Sequence, residues 1–232
     1  MRALKNLLFL CCTLLYGGLH AQIADDFSDE NFTQNPTWLG DSANFIVNSV
    51  GMLQLLAPTG GSSQLVVQGH IPDSAVWMLD IRLAFAPSAS NVLRVYLLAD
   101  QANLTIASGY LLEIGENGSL DALRFFRQDA GARSLLAAGP AGAVAGEPVD
   151  IRLRVRRSAA GDWTAEIAAP GEAFIGQFSV RDTVYAAGSD RFFGLQCIYT
   201  ATRTDKFFFD NLTILPDLPD TQPPVLQQVV AA

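Results

Sequence analysis

Between positions 24 and 215 apolar and polar residues alternate with a period of two, and short clusters rich in Gly, Pro, Asn, Asp and Ser separate the runs. Side chains of an extended strand project alternately to opposite faces, so this is the pattern of strands with one buried face. In the clearest run, Val149, Ile151, Leu153 and Val155 share one face while Asp150, Arg152, Arg154 and Arg156 share the other. A turn from Ser158 to Asp162 containing Gly161 follows, after which Trp163, Ala165 and Ile167 alternate with Thr164, Glu166 and Ala168. The two runs predict a hairpin that sets Glu166 against the arginine row. Similar runs lie at 44–47, 52–57, 64–67, 76–85, 92–99, 110–114, 122–127, 174–180, 192–199 and 206–215. Helical periodicity is missing, and the alanine-rich stretch 135–145 is interrupted by Gly139, Pro140 and Gly142. No repeat of fixed period is present. The pattern predicts an all-β domain over residues 22–215, a two-sheet antiparallel sandwich.

The ends of the chain read differently. Arg2 and Lys5 precede an apolar stretch from Leu7 to Tyr16, a Gly17-Gly18 break and the sequence Leu19-His20-Ala21. That is the three-part form of a cleavable secretory signal peptide, predicted to occupy residues 1–21 and to direct the protein to the exterior or the cell surface. From Pro216 to Pro224 closely spaced prolines preclude a helix or a central strand, which predicts a linker over residues 216–232 leading into a further domain or ending in a frayed tail.

Composition narrows the chemistry. Loss of the 21-residue leader from 232 residues leaves 211, and because Arg2 and Lys5 leave with it the formal charge moves from −8 to −10. The acidity argues against nucleic acid as a partner, since phosphates require a basic surface. Mean hydropathy is positive, yet after the leader polar residues interrupt every apolar run well short of a membrane span. One histidine, His70, and one cysteine, Cys197, remain, too few for an intrachain disulfide, a His/Cys zinc site or a clustered haem or iron–sulfur ligand set. His70 is predicted in a turn at 68–73 and Cys197 in the core of its strand.

Four groups of residues remain as candidate chemistry. Glu113 and Glu116 are the one pair suggesting a retaining glycosidase, whose two carboxyl groups must lie about 5–5.5 Å apart. At spacing i, i+3 on a regular strand they project to opposite faces, unless a bulge at Gly115 turns one round. Arg152, Arg154 and Arg156 would present three guanidinium groups on one face, able to grip acidic sugars or sulfate, or simply paired with Glu166, Asp150 and neighbouring-strand acids such as Asp80 on a solvated sheet. Trp77 and Trp163 fall in phase with the aliphatic positions and belong to the core, whereas Trp38, in the early loop Asn35-Pro36-Thr37-Trp38, is free of that phase and is the candidate for stacking on a sugar ring. Asp25 and Asp26 at the first strand, with Asp210 and Asn211 in the last, would gather hard oxygen ligands suited to a structural calcium ion if the ends of the domain are neighbours.

Several segments together resemble a known module. Asp25-Asp26-Phe27-Ser28-Asp29, Phe32-Thr33-Gln34-Asn35-Pro36-Thr37-Trp38 and Phe45-Ile46-Val47-Asn48 resemble the opening of large secreted lamin-tail-domain proteins of the Bacteroidota. Arg94-Val95-Tyr96-Leu97 with Asp100-Gln101, Gly109-Tyr110 with Ile114-Gly115-Glu116, Arg127-Gln128-Asp129, and Arg203 to Lys206 with Phe209-Asp210 extend the similarity over residues 24–215. The resemblance implies a jelly-roll (concanavalin A-like) sandwich at the head of a multidomain surface protein, followed by immunoglobulin-like or lamin-tail modules, and it brings no catalytic residues with it. The expectation is a non-catalytic exported module that binds a polysaccharide or a surface protein, or serves as a spacer. The alternative is a glycoside hydrolase or lyase of the same architecture.

Overall fold

The computed structural model describes residues 23–118 and 120–217. The predicted leader and the tail after Asp217 lie outside the described residues. The strands, in chain order, are β1 (Ile23–Asp25), β2 (Trp38–Gly40), β3 (Phe45–Val47), β4 (Leu53–Leu55), β5 (Gly61–Ile71), β6 (Ala75–Leu83), β7 (Val92–Ala99) and β8 (Gly109–Ile114). They continue with β9 (Arg124–Asp129), β10 (Ala132–Ala138), β11 (Val149–Arg157), β12 (Asp162–Ala168), β13 (Ile175–Arg181), β14 (Ser189–Tyr199) and β15 (Phe207–Pro216). Apart from one 3-10 turn at Ser42–Asn44, no helix occurs among the described residues.

The strands form two antiparallel sheets. The eight-stranded sheet runs β13-β12-β11-β6-β15-β4-β3, with β1 also paired to β15, and the seven-stranded sheet runs β10-β9-β8-β7-β14-β5-β2. Two meanders, β11–β13 and β7–β10, are joined to the rest by crossovers that insert β6 beside β11 and β14 beside β7. The first and last strands are neighbours, Ala24 lying opposite Thr213.

Burial follows the alternation. Every second residue of β11 and of β6 is buried, and their inward sets meet the inward set of the other sheet. Trp77 and Trp163 stack at 5.6 Å, and Tyr110 and Phe125 from the opposite sheet close on Trp163 at 4.7 and 5.2 Å, so the aromatic centre ties the two sheets together. A smaller apolar cluster lies on the outer face of the seven-stranded sheet. There Leu104 and Ala107 of the β7–β8 loop pack on Val66, Tyr96 and Leu111, and buried Gln128 fastens the loop by donating to Leu104 O and Ala107 O, both at 2.8 Å.

Three segments depart from the sequence expectation. The stretch from Ala132 to Ala138 is an edge strand, paired to β9 through a tight turn in which Ala130 and Gly131 both take positive φ. Its mostly exposed residues carry no alternating signal, which is why the pattern misses it. His70 lies in β5 and not in a turn, because β5 pairs with β14 along its full length and Ile71 is buried. At the other end β15 continues to Pro216, and Asp217 is fastened by its backbone N–H to Ser74 O at 3.0 Å, two residues into the predicted linker.

Candidate functional site

Because β11 is flanked by β6 and β12, its polar set stands on the outer face of the eight-stranded sheet. Register places Arg154 between Met78 and Glu166, Arg156 between Val76 and Thr164, and Arg152 opposite Asp80. The predicted pairing with Glu166 is present: Arg154 Nε donates to Glu166 Oε2 at 2.6 Å, and this bond holds the Glu166 carboxyl below the usual glutamate range. The Arg152 and Arg154 guanidiniums lie over the Phe174 ring at 4.9 and 4.0 Å from its centroid, and Arg152 Nη2 donates to Glu172 O at 2.8 Å. Arg156 pairs with Asp217, and next to the row Arg82 pairs with Asp150 at 2.6 Å.

Beside these groups lies a groove of about 500 Å³ lined by Arg154, Arg156, Thr164, Glu166, Gln177 and Ser179. Its far wall is shaped by a bulge: Ala165 pairs with Phe178 and Glu166 with Gly176, leaving Gln177 as an extra residue. The buried Gln177 side chain lies against Gly139, just after β10 of the other sheet, with its Nε2 donating to Ile175 O at 3.1 Å. The groove therefore sets guanidinium donors beside a carboxylate and hydroxyls, a combination that engages the neighbouring hydroxyls of a saccharide.

The other predicted site residues sit elsewhere. Trp38 is not a surface platform: it is 2% exposed, packs on Phe27 and Phe193, and its Nε1–H donates to Asp25 Oδ2 at 2.8 Å. The loop that leads to it also turns its ring inward onto β5, with Trp38 paired to Val67, so lack of period-two phase did not mean exposure. It does not join the arginines.

The predicted calcium ligands are brought near one another by the β1–β15 pairing, but they do not form a ligand set. Asp25 is buried and committed, its Oδ1 accepting from Phe27 N at 2.9 Å and its Oδ2 from Trp38; burial keeps its carboxyl above the ordinary range despite both bonds. Asp26 accepts from the Ser28 hydroxyl at 2.7 Å, and Asn211 Nδ2 donates to Asp80 Oδ2 at 2.9 Å. Burial, and then the charges of Asp80 and Asp26, push the Asp210 carboxyl up. Among the described residues no group of three His, Cys, Asp or Glu side chains is placed to hold a metal ion.

Cys197 is fully buried, and that burial pushes its thiol well up. Gly115, at φ 108°, ends β8 and swings Glu116 back, so that Glu113 and Glu116 both reach Arg124, at 2.7 and 3.6 Å. This glycine turn beyond the strand therefore does what the regular strand forbids, yet both carboxylates face arginine. Arg94 and Arg133 also bind Glu113, a cluster the sequence reading missed. Its only mark in the sequence is that Arg94, Glu113 and Arg124 are charged residues interrupting three consecutive, almost wholly apolar runs, in the same phase as the apolar residues Tyr96, Leu111 and Phe126.

No protein-family model matches the chain, and no curated protein matches it by sequence. Solved structures do match in fold. The carbohydrate-binding module CBM66 from Bacillus subtilis aligns with a TM-score of 0.51 and 16% identity, covering 76% of this chain and 94% of that one. The legume lectin-like domain from Entamoeba histolytica aligns with a TM-score of 0.58 and 13% identity over 84% of this chain and 96% of that one. The Emp47p carbohydrate recognition domain aligns at 0.60 and 14% identity over 85% and 95%. At these identities the likeness is one of architecture. The chain is an all-β, concanavalin-like jelly-roll sandwich.

Proposed function

We propose that this chain is a non-catalytic glycan-binding module of an exported protein, and that the groove beside Arg154 and Glu166 receives the saccharide. The groove carries this reading: the paired charges of Arg154 and Glu166, Arg156 and the hydroxyl-bearing residues Thr164 and Ser179 line one side of a rigid sheet. Similar architecture in proteins described as carbohydrate-binding supports it. The leader-like N-terminus and the resemblance to lamin-tail-domain proteins of the Bacteroidota support placing the module at the head of a secreted or cell-surface polypeptide, with further domains after the proline-rich segment. Catalysis is the weaker reading, because both oxygens of Glu113 are bound by arginines and Glu116 accepts from the Asp121 backbone N–H and faces Arg124.

The test is a glycan-array and polysaccharide pull-down screen with wild type, Arg154→Ala and Glu166→Gln. Each variant removes a charge-assisted contact of about 1.5–3 kcal/mol, so a loss of about tenfold or more in affinity is expected with the melting temperature nearly kept. Retention on no glycan, or equal retention by the variants, overturns the reading. Reducing-sugar release by wild type that Glu113→Gln abolishes would overturn its non-catalytic part.

A further inference from the structure

We infer that the outer face of the seven-stranded sheet carries a second binding site, built from Arg94, Arg124 and Arg133 and suited to an oxyanion, a carboxylate or sulfate group.

The site follows from consecutive strands. Register sets Arg94 of β7 opposite Glu113 of β8, and Glu113 opposite Arg124 of β9, while Arg133 reaches in from the edge strand β10. Glu113 Oε2 accepts from Arg94 Nε at 2.7 Å and also from Arg133 Nη1, and Glu113 Oε1 accepts from Arg124 Nη2 at 2.7 Å. Arg124 Nη2 also donates to Gly115 O at 2.8 Å, and Arg94 Nη1 donates to Gln196 Oε1 at 2.9 Å. Glu116 is the other acid present; one of its oxygens accepts from Asp121 N at 2.8 Å and the other faces Arg124 at 3.6 Å.

Three guanidiniums thus meet two carboxylates, which leaves one positive charge in excess on a chain of formal charge −8. Donors remain as well as charge. Arg94 Nη2 and Arg133 Nε and Nη2 bond to nothing else among the described residues, and Arg124 Nε is buried without a partner. The Phe126 ring lies 5.5 and 5.4 Å from the Arg124 and Arg133 guanidinium carbons, which holds both heads in place before any ligand arrives. The arginine side chains keep 18–29% exposure, so the cluster is reached by solvent while Glu113 beneath it is 6% exposed. Glu113 itself shows what the cluster grips: a carboxylate held from three sides, the geometry in which guanidinium outperforms ammonium. On the other sheet Arg82, Arg154 and Arg156 each have one carboxylate partner and Arg152 donates to the Glu172 carbonyl, whereas here three guanidiniums share the single Glu113 carboxylate. A neutral saccharide suits that face and an anionic group suits this one, and neither inference depends on the other.

The test is binding of inorganic sulfate, dextran sulfate, polygalacturonate and neutral dextran at matched ionic strength, by calorimetry and affinity electrophoresis. Wild type is expected to bind at least one anionic probe. Arg133→Ala should weaken this about tenfold, Glu113→Gln should strengthen it by freeing three guanidiniums, and Arg152→Ala on the opposite face should leave it unchanged. Binding of inorganic sulfate identifies the oxyanion alone as sufficient, whereas binding confined to the polymers identifies a saccharide-borne group. No anionic binding by wild type overturns the inference, as does binding that Arg133→Ala leaves intact. Arg133 lies on an edge strand, so it decides the matter even if Glu113→Gln fails to fold.

Discussion

Replacing Trp38 by Phe tests the reassignment of this residue from surface platform to buried donor. The indole N–H is one of two donors to the buried Asp25 carboxylate, and Phe keeps a ring in the space while removing that donor. A hydrogen bond to a charged group contributes about 1.5–3 kcal/mol, and the smaller ring leaves a cavity costing about 1 kcal/mol more. The expected loss is therefore about 3 kcal/mol, which for a domain of this size lowers the melting temperature by about 6–12 °C. The deficit should also depend on pH in a definite direction. The folded-state pKa of Asp25 is already raised by burial, and the Trp38 bond lowers it part of the way back. Without that bond it climbs further. A raised folded pKa contributes stability below the unfolded value of about 3.9 that is lost as pH rises through the folded value. The variant has more of this contribution, so its deficit against wild type is largest near neutrality and narrows as the pH falls. Thermal melts of wild type, Trp38→Phe, Asp25→Asn and the double variant at neutral and acid pH would measure both the coupling and its direction. A Trp38→Phe melt equal to wild type, or a deficit that widens on acidification, would refute the reasoning.

Other expectations follow from particular contacts. Gly109 takes φ +151°, and a Cβ there would lie 1.8 Å from Leu98 O, so Gly109→Ala should cost upward of about 3 kcal/mol or prevent folding, read by urea titration. Glu166 has a lowered carboxyl pKa because of Arg154, so the stability it contributes is present above the unfolded value and lost as pH falls through the folded one; Glu166→Gln should be least damaging in acid. The Cys197 thiol, buried and pushed up, should resist a thiol reagent in the folded protein and react fully in denaturant. With Asp25 turned to Trp38, calcium addition or chelation should leave the melting midpoint unchanged, and a shift of several degrees would restore a metal site near the β1–β15 pair.

Much of the architecture was legible because period-two alternation is a direct record of which face is buried. Val149 to Val155, the Trp77 and Trp163 phases and the Arg154–Glu166 pairing follow from it, and the structure shows each one. Alternation fails where burial is not one-sided. Edge strand β10 buries little, and its turn, Ala130-Gly131, was its only mark. Trp38 sits in a three-residue strand too short to show a phase. The site was legible only within a single hairpin. Glu113 meets Arg94, Arg124 and Arg133 across three neighbouring strands, and the far wall of the groove is shaped by a bulge at Gln177, neither of which spacing along one run reports.

The most direct test of glycan recognition on the eight-stranded sheet is to map amide chemical shifts of the isotope-labelled protein against a saccharide found by the array screen. The account predicts that a neutral saccharide perturbs β11, β12 and β13 around Arg154, Glu166 and Gln177, and that Arg154→Ala removes the perturbation. Saturable shifts confined to other strands, with these residues unmoved, would contradict it.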